Sequence, residues 1–376
     1  MYSVRIYKLL TLLFITSVSP SFAQVYSDKI IGEKNEAKLD SLKKQDYPYA
    51  LPIWGQAATK KGFQLPYSAG VSINYFWQQS DIILSDLSVG FNGGPMYDLD
   101  QIVRFKNSTA TASALNFRPD IWLFPFLNVY GILAKANTST AIEAGVYIPD
   151  FRNNWVEIAS FKSKADFDAT SFGFGLTPTI GVGGGWLALD MNFTWTDVSA
   201  LDKPVFTSSF GPRLGKTFKF KKPERNIAVW VGGFRVNYTP ATNGSLALSE
   251  VLPIDEMQTK VDDGLVKIDE KQTEVNDWWG GLTPKEKTDP SNVAIYTAAN
   301  KALESASNIF TALDGALSTA ETSTVQYSLT KQLKDKWNFI IGSQFQFNRH
   351  FMLRAEYGFL GSRQQFLTGI QYRFGL

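Results

Sequence analysis

Few side chains in this sequence are of the kinds that perform acid–base chemistry or bind transition metals. The 376 residues include one histidine, His350, and no cysteine. His350 has no acidic neighbour in sequence and falls in a predicted turn, whereas a catalytic triad or a zinc site needs several such groups at fixed geometry. We therefore predict no catalytic residue, metal site or cofactor, and no enzyme. An enzyme ranks third among the functions considered below, and the activity of a His350→Ala variant tests it.

Two pairs of carboxylates have a spacing that places both members on one face of a strand. Asp98 and Asp100 form one pair, and Asp166 and Asp168 form the other. Such pairs can bind Ca²⁺ or act as acid and base. Because no third ligand follows at a fixed spacing, the pattern favours solvated positions in loops or in a lumen.

Two glycine-containing stretches partly match phosphate-binding motifs. Gly211 to Thr217 has three residues between its glycines where the motif needs four, and Pro212 removes a backbone donor. In Gly181 to Gly185, Trp186 takes the place of the third glycine of a dinucleotide motif. We predict no phosphate loop at the first stretch, which has strand-like flanks, and a tight turn or bulge at the second.

The strongest pattern runs from Trp337 to Leu376, where alternation predicts three consecutive strands with one apolar face. That face carries aromatic and aliphatic residues: Phe339, Ile341, Phe345, Phe347, Phe351, Leu353, Tyr357, Phe359, Phe366, Ile370, Tyr372 and Phe374. The pattern favours a transmembrane barrel, with lipid outside and polar groups inside, over a soluble sandwich.

The opposite face of these strands carries polar residues that we predict to face a lumen: Arg354, Glu356, Gln371 and Arg373. If the barrel conducts, they would help to set its selectivity. If it does not conduct, they would form an ion-pair network that fills a narrow barrel.

The closing run from Gly369 to Leu376, GIQYRFGL, resembles the last strand of Gram-negative outer-membrane β-barrels. In that family the terminal strand carries alternating aromatics, usually ends in an aromatic residue, and is read by the barrel-assembly machinery. Here Leu376 is last and Phe374 stands two residues before it. The resemblance implies an assembly signal at Tyr372, Phe374 and Leu376. It also implies a location in the outer membrane, with membrane lipid and the assembly machinery as partners.

The other end of the chain predicts export. Arg5 and Lys8 precede an apolar stretch from Leu9 to Val18, and Ser21-Phe22-Ala23 places small residues where a signal peptidase cleaves, so we predict a signal peptide over 1–23. Since Arg5 and Lys8 are two of the 37 Lys and Arg, the mature chain holds 35 against 35 Asp and Glu. A neutral chain without a basic block predicts no nucleic-acid partner.

The remaining sequence divides into four predicted segments: a periplasmic leader over 24–66, the first part of the barrel over 67–240, an insert over 241–324 and closing barrel strands over 325–376. Strand candidates in the first part include 70–75, 82–91, 126–134, 142–148, 155–161 and 167–182. The fold class predicted is all-β membrane, an antiparallel transmembrane barrel of about 12 strands with an α-helical hairpin insert.

The insert has a helical period. Its apolar seams recur at spacings of seven, or of four and three: Ile254, Val261, Ile268 and Val275, then Ile295, Ala299, Ala302, Ala306, Ile309, Leu313, Ala316 and Ala320. Start signals occur at Pro253, at the Thr283–Glu286 capping box and at Asp289–Pro290. These signals predict an antiparallel helical hairpin, in which Gly264 costs about 1 kcal/mol relative to Ala.

Counting strands back from a periplasmic Leu376 predicts that the hairpin enters from the periplasmic side, as an appendage or a plug. Two functions fit. The first is a pore or transport channel for small solutes, gated or plugged by the insert. The alternative is a non-conducting structural or adaptor barrel whose hairpin docks a periplasmic protein. Conductance that rises on deletion of 253–320 would favour the first, and crosslinking of the hairpin to one protein would favour the second.

Overall fold

The computed structural model describes residues 28–29 and 36–376, apart from 153, 200, 202, 223, 239 and 240. The predicted signal peptide, 1–23, lies outside the described residues. The strands are β1 Asp28–Lys29, β2 Phe63–Gln64, β3 Ala69–Phe91, β4 Tyr97–Asp98, β5 Val103–Phe124, β6 Leu127–Pro149, β7 Trp155–Val182, β8 Gly185–Val198, β9 Val205–Lys219, β10 Asn226–Tyr238, β11 Ala241–Ala247, β12 Thr324–Leu333, β13 Trp337–Gln346, β14 Phe351–Phe359 and β15 Arg363–Phe374. The helices are α1 Glu36–Lys44, α2 Gly55–Lys60, α3 Leu248–Val251, α4 Ile254–Gly281 and α5 Pro290–Leu317, with a 3₁₀ helix at Glu286–Thr288.

Ten strands close into an antiparallel barrel: β3, β5 to β10 and β13 to β15. β15 closes the ring on β3, with Phe374 opposite Ala69 and Arg363 opposite Ser80. The predicted antiparallel barrel is confirmed, but the expected count of about 12 strands is too high. The reason is that β3, β6 and β7 are 23, 23 and 28 residues long, and each contains two stretches that were predicted as separate strands.

Three further strands lie outside the ring and extend it at one end. β12 pairs with the second half of β3, from Leu333 opposite Ile82 to Val325 opposite Phe91. β11 pairs with β12, and β4 pairs with β3. β12 is therefore not a strand of the barrel, in contrast to the predicted boundary at 325, because β15 already occupies the first half of β3.

The barrel wall is apolar outside and polar inside. Outward side chains that are 46–59% exposed include Ile73, Leu115, Leu133, Phe172, Leu214, Ile341, Leu353 and Ile370. Inward side chains that are at most 9% exposed include Ser72, Asn74, Asp120, Asp190, Arg213, Gln344, Glu356 and Arg373. This arrangement is the reverse of a water-soluble protein, and it suits a wall that faces lipid.

The apolar surface is a belt with a definite edge. On β7 the outward residues are apolar from Phe172 to Val182, which matches the roughly 9–11 residues that a tilted strand needs to cross a bilayer. From Lys162 to Thr170 the exposed residues of β7 are charged or polar: Lys162, Lys164, Asp166, Asp168 and Thr170. On β6 the same edge lies between Leu133, opposite Phe172, and Lys135, opposite Thr170. The strands beyond this edge form a polar-coated extension of the barrel.

The helical insert lies at the end of the barrel opposite Leu376, here called the far end. β3 runs from Ala69 at the Leu376 end to Phe91 at the far end, and the insert returns to the sheet through β12 beside Phe91. The prediction that the hairpin enters from the Leu376 end is wrong. That prediction counted β12 as a barrel strand, and one extra strand reverses the end of the barrel at which the insert begins. None of the described helices is both long and apolar enough to span a bilayer.

The two long helices pack against each other and against the inner face of the extension. Seam residues at most 7% exposed are Val261, Ile268, Val275, Ala299, Ala302, Ala306, Ile309 and Ala316. Val103 of β5, Val146 of β6 and Ile158 of β7 belong to the same apolar core. Two of the three predicted start signals are confirmed, since the Asp289 carboxylate accepts from Ser291 N at 2.8 Å and Thr283 N donates to Glu286 Oε2 at 2.8 Å. Pro253 is the residue before α4 rather than its first helical residue.

The described part of the leader lies against the Leu376 end of the barrel. Ala50 N donates to the Leu376 carbonyl at 2.9 Å, and Ile53 N donates to the Leu123 carbonyl at 2.9 Å. The Tyr49 ring packs edge-on against Tyr67 at 5.9 Å. The leader therefore covers part of this end.

Candidate functional site

Four charged side chains meet inside the barrel and are here called the charge cluster: Asp190 of β8, Arg213 of β9, and Arg354 and Glu356 of β14. Arg213 donates to both Glu356 carboxylate oxygens, from Nε at 2.8 Å and from Nη2 at 3.0 Å, and from Nη1 to Asp190 Oδ2 at 2.6 Å. Arg354 Nη2 donates to Glu356 Oε2 at 3.2 Å. Two-pronged guanidinium–carboxylate contacts are among the strongest hydrogen bonds in proteins.

Neutral donors complete the hydrogen bonding of the two carboxylates. Trp230 Nε1 donates to Glu356 Oε2 at 2.8 Å. Tyr130 Oη donates to Asp190 Oδ1 at 3.3 Å, and the Thr177 hydroxyl donates to the same oxygen. The cluster has two positive and two negative groups, so its charges balance, as buried charges require.

Sheet register brings the cluster together from distant parts of the chain. The β8–β9 ladder sets Ala188 opposite Arg213, while Arg213 and Glu356 are separated by 143 positions. The Trp230 ring lies against Gly342, where an added Cβ would be 2.4 Å from the ring. A glycine at that position lets the tryptophan lie flat on the inner wall beside Glu356.

A second buried ion pair lies closer to the Leu376 end. Asp120 accepts from Arg373 Nη1 at 3.0 Å, from Gln371 Nε2 at 2.7 Å and from Asn128 Nδ2 at 2.8 Å. Arg373 Nε also donates to the Tyr67 carbonyl at 3.1 Å. This pair ties the last strand to β5 and to the end of the leader.

The two groups of charges narrow the lumen. The space lined by Asp190, Arg213 and Arg354 and by the Asp120–Arg373 pair has a volume of about 80 Å³. A gap of this size has room for only a few water molecules. The lumen is therefore constricted at this level.

Beyond the charge cluster, toward the far end, the lumen widens into a chamber of about 720 Å³. Its walls come from the inward faces of the barrel and extension strands and from both long helices, and they include Phe76, Ile82, Phe105, Ile142, Phe167, Met257, Phe310 and Val325. Asp190, Arg213, Arg354 and Glu356 form its floor. The volume falls within the roughly 300–1,000 Å³ of sites that bind small organic ligands.

The four residues predicted to face the lumen lie inside the barrel in two groups. Arg354 and Glu356 belong to the charge cluster, while Gln371 and Arg373 contact Asp120.

The three residues of the predicted assembly signal lie at the end of the closing strand. The Tyr372 and Phe374 rings stack at 6.2 Å, and Leu376 N donates to Ser68 Oγ at 2.9 Å. Tyr372 is 41% exposed on the outward face.

His350 and Asp100, which we considered as candidates for chemistry, contact the backbone and side chains of neighbouring strands and turns. His350 Nδ1 is 2.8 Å from the Arg373 carbonyl, and its ring is 4.7 Å from Tyr67. The Asp100 carboxylate accepts from the backbone N–H groups of Asp86 and Leu87 at 3.0 and 2.8 Å. These contacts hold the turn after β4 against β3.

The glycine stretches and the second carboxylate pair also have structural positions. Gly211 to Thr217 lies within β9, and Gly183 and Gly184 have positive φ in the β7–β8 turn, as predicted. Asp166 and Asp168 are exposed on the outer surface of the extension rather than in the lumen.

Sequence reasoning missed three members of these sites. Asp190 stands alone between Leu189 and Met191, and a single charge on the inward face of a strand is the signal that could have found it. Arg213 lies in a predicted strand, and a phosphate loop, which we rejected, is the only chemistry that the sequence suggested there. Asp120 precedes the apolar residues Ile121 to Phe124, and its place on the inward face is visible only once the β3–β5 register is known.

A closed antiparallel barrel with an apolar belt outside and polar groups inside defines an outer-membrane β-barrel of the Gram-negative type, and this chain is one. The chain matches no protein-family model, and no curated protein matches it.

Several solved barrels are similar in fold. The β domain of the Bordetella autotransporter Brka is 8% identical with a TM-score of 0.33, covering 82% of this chain and 100% of that one. The translocator domain of autotransporter NalP from Neisseria meningitidis is 9% identical with a TM-score of 0.30, covering 81% and 88%. The Ralstonia pickettii toluene transporter TbuX is 9% identical with a TM-score of 0.28, covering 87% and 96%. Likenesses this weak carry no argument about activity.

Proposed function

We propose that this barrel transports small apolar molecules across the outer membrane, binding them in the chamber at the far end. The observation that carries the proposal is the chamber itself, which combines about 720 Å³ of space with mainly apolar walls inside the barrel mouth. Porins, in contrast, hold a polar, water-filled lumen. Apolar walls favour a solute whose free energy falls when it leaves water.

The charge cluster has the position of a gate in this proposal. It forms the floor of the chamber and leaves a gap of about 80 Å³ beside the Asp120–Arg373 pair. A solute would pass only if Arg213 or Arg354 moved away from Glu356. Arg354 and Glu356, predicted as selectivity residues, would then govern passage by opening and closing.

The helical hairpin would serve as the cover of the chamber. Met257, Val261, Ile309 and Phe310 contribute to the chamber wall from α4 and α5. This role corresponds to the plug alternative of the sequence prediction. The adaptor alternative, in which the exposed positions of the hairpin outside the seam dock a partner, is not favoured by any observation on the described residues.

Binding of an uncharged fluorescent naphthylamine to the purified full chain in detergent tests the proposal. Ala136 lines the chamber, whereas Asn137 is exposed on the other face of β6. We expect Ala136→Trp to abolish binding and Asn137→Trp, the matched control, to leave it unchanged. Both variants should keep the heat-modifiable gel migration of a folded barrel. If the wild type does not bind the probe, or if both variants bind as well as the wild type, the proposal is wrong.

A further inference from the structure

The chamber-facing side of β12 is apolar except at one position. Its inward residues alternate with the polar residues Gln326, Ser328, Thr330 and Gln332, and they line the chamber: Val325, Tyr327, Leu329, Lys331 and Leu333. Lys331 thus extends from an aliphatic strand face into an apolar space. A charged residue at such a position costs free energy unless something compensates it.

The protein supplies no counter-ion to Lys331. Its ammonium group donates a hydrogen bond to Thr140 Oγ1 of β6 at 3.2 Å. Among the described residues, no carboxylate lies within the 4.0 Å of an ion pair. Burial lowers the pKa of Lys331 to about 8, so the side chain is still mostly protonated at neutral pH.

The chamber as a whole has an excess of positive charge. Five cationic side chains line it (Arg118, Arg213, Lys260, Lys331 and Arg354), against two anionic ones (Asp190 and Glu356). Since Lys260 is paired with Glu256 at 3.6 Å, the other four cations exceed the two anions by two charges. Both carboxylates already contact Arg213 in the floor. The chamber therefore favours a ligand that carries a negative charge.

We propose that Lys331 binds the carboxylate of an amphiphilic acid whose apolar body fills the chamber. This inference deepens the proposed function and rests on it. Thr140 completes the site, since its hydroxyl accepts from Lys331 and is itself free to donate to a ligand oxygen. The ammonium group is a compact charge on a flexible stem, which suits a single carboxylate better than a large headgroup.

Displacement of the naphthylamine probe by dodecanoate and by dodecanol tests this assignment, because the two ligands share an apolar chain and differ in charge. We expect the wild type to bind dodecanoate about tenfold or more tightly than dodecanol, the effect of one charge-assisted hydrogen bond. Lys331→Met should remove this preference and leave dodecanol binding unchanged. Lys331→Arg should retain it, and this variant also reports on the site if Lys331→Met fails to fold.

Lys334→Met is the matched control, because the Lys334 side chain is 60% exposed and lies near Asp81 rather than in the chamber. It should leave the preference intact. Displacement by both ligands without any preference, or a preference that survives in Lys331→Met, would overturn the Lys331 site while the apolar chamber stands. If the probe binds but neither ligand displaces it, the carboxylate site is wrong. If the probe itself does not bind, the proposed function falls together with it.

Discussion

Replacing Glu356 by glutamine tests the charge cluster most directly. The Glu356 carboxylate accepts four hydrogen bonds, two from Arg213 and one each from Trp230 and Arg354, and its side chain is 2% exposed. Glutamine has nearly the same shape, but it has one acceptor oxygen and its amide group would face a guanidinium. Arg213 would keep Asp190, whereas Arg354 would lose the only carboxylate in contact with it among the described residues.

The size of the effect follows from this geometry. Removing one partner of a buried ion pair costs roughly 3–5 kcal/mol, because the remaining charge is left without compensation. The backbone ladders of ten strands are untouched, so the barrel can lower this cost by moving Arg354 out of the cluster. The net charge of the cluster changes from zero to one positive charge. We therefore expect a wider constriction that favours anions.

Planar-bilayer recording under a salt gradient measures both consequences. We expect Glu356→Gln to show larger conductance than the wild type and a reversal potential shifted toward anion selectivity. Glu356→Gln combined with Arg354→Gln restores neutrality and should remove the anion preference. Asp168→Asn changes a carboxylate on the outer surface and should behave as the wild type. Conductance and selectivity that remain at wild-type values in Glu356→Gln would refute the assignment of the cluster as a gate.

Three further predictions concern the wall and the hairpin. Gly264→Ala should destabilise the helices by about 1–3 kcal/mol, because the new Cβ would be 2.1 Å from Phe310 Cε1. Gly315→Ala, which meets open space, should stabilise them by up to about 1 kcal/mol. The temperature at which the helical circular dichroism signal is lost compares the two variants. A higher temperature for Gly264→Ala than for the wild type would contradict the contact with Phe310. Leu133→Arg should lower the free energy of unfolding of the barrel in lipid by about 2–4 kcal/mol, and Asn137→Arg by much less. Denaturant titrations measure both, and equal losses would contradict the position of the belt edge. With Leu376 in the periplasm, as the sequence predicts, the far end faces the outside of the cell. Gly280→Cys, the sole thiol of the chain, should then react on intact cells with a membrane-impermeant reagent, and protection from the reagent would contradict this orientation of the hairpin.

Gly264 illustrates how a local rule and a tertiary contact can disagree. Helix propensity predicts that alanine at this position stabilises α4 by about 1 kcal/mol. The structure reverses the expected sign, because the Phe310 ring from α5 occupies the place of the missing side chain. Propensity describes one helix in isolation and contains no information about its neighbour.

The sequence by itself determined which surfaces meet lipid, water and other helices. In a strand each side chain faces the side opposite to its neighbours, so the alternation from Phe339 to Phe374 is enough to predict an apolar exterior and a polar interior. The heptad seams and the caps at Thr283 and Asp289 likewise depend on residues only a few positions apart. These features are local, and the sequence states them directly.

Only the tertiary structure decided how many strands close the barrel, at which end the hairpin lies and which charges meet inside. These depend on pairings between distant residues, such as Arg213 with Glu356 across 143 positions, and on β3 being shared between β15 and β12. The strand pattern continues from the membrane belt into the extension within β3, β6 and β7, so it does not reveal how many strands a stretch holds or which of them belong to the ring. The physical reason is that side-chain direction is set residue by residue, whereas closure is set by hydrogen bonding between whole strands.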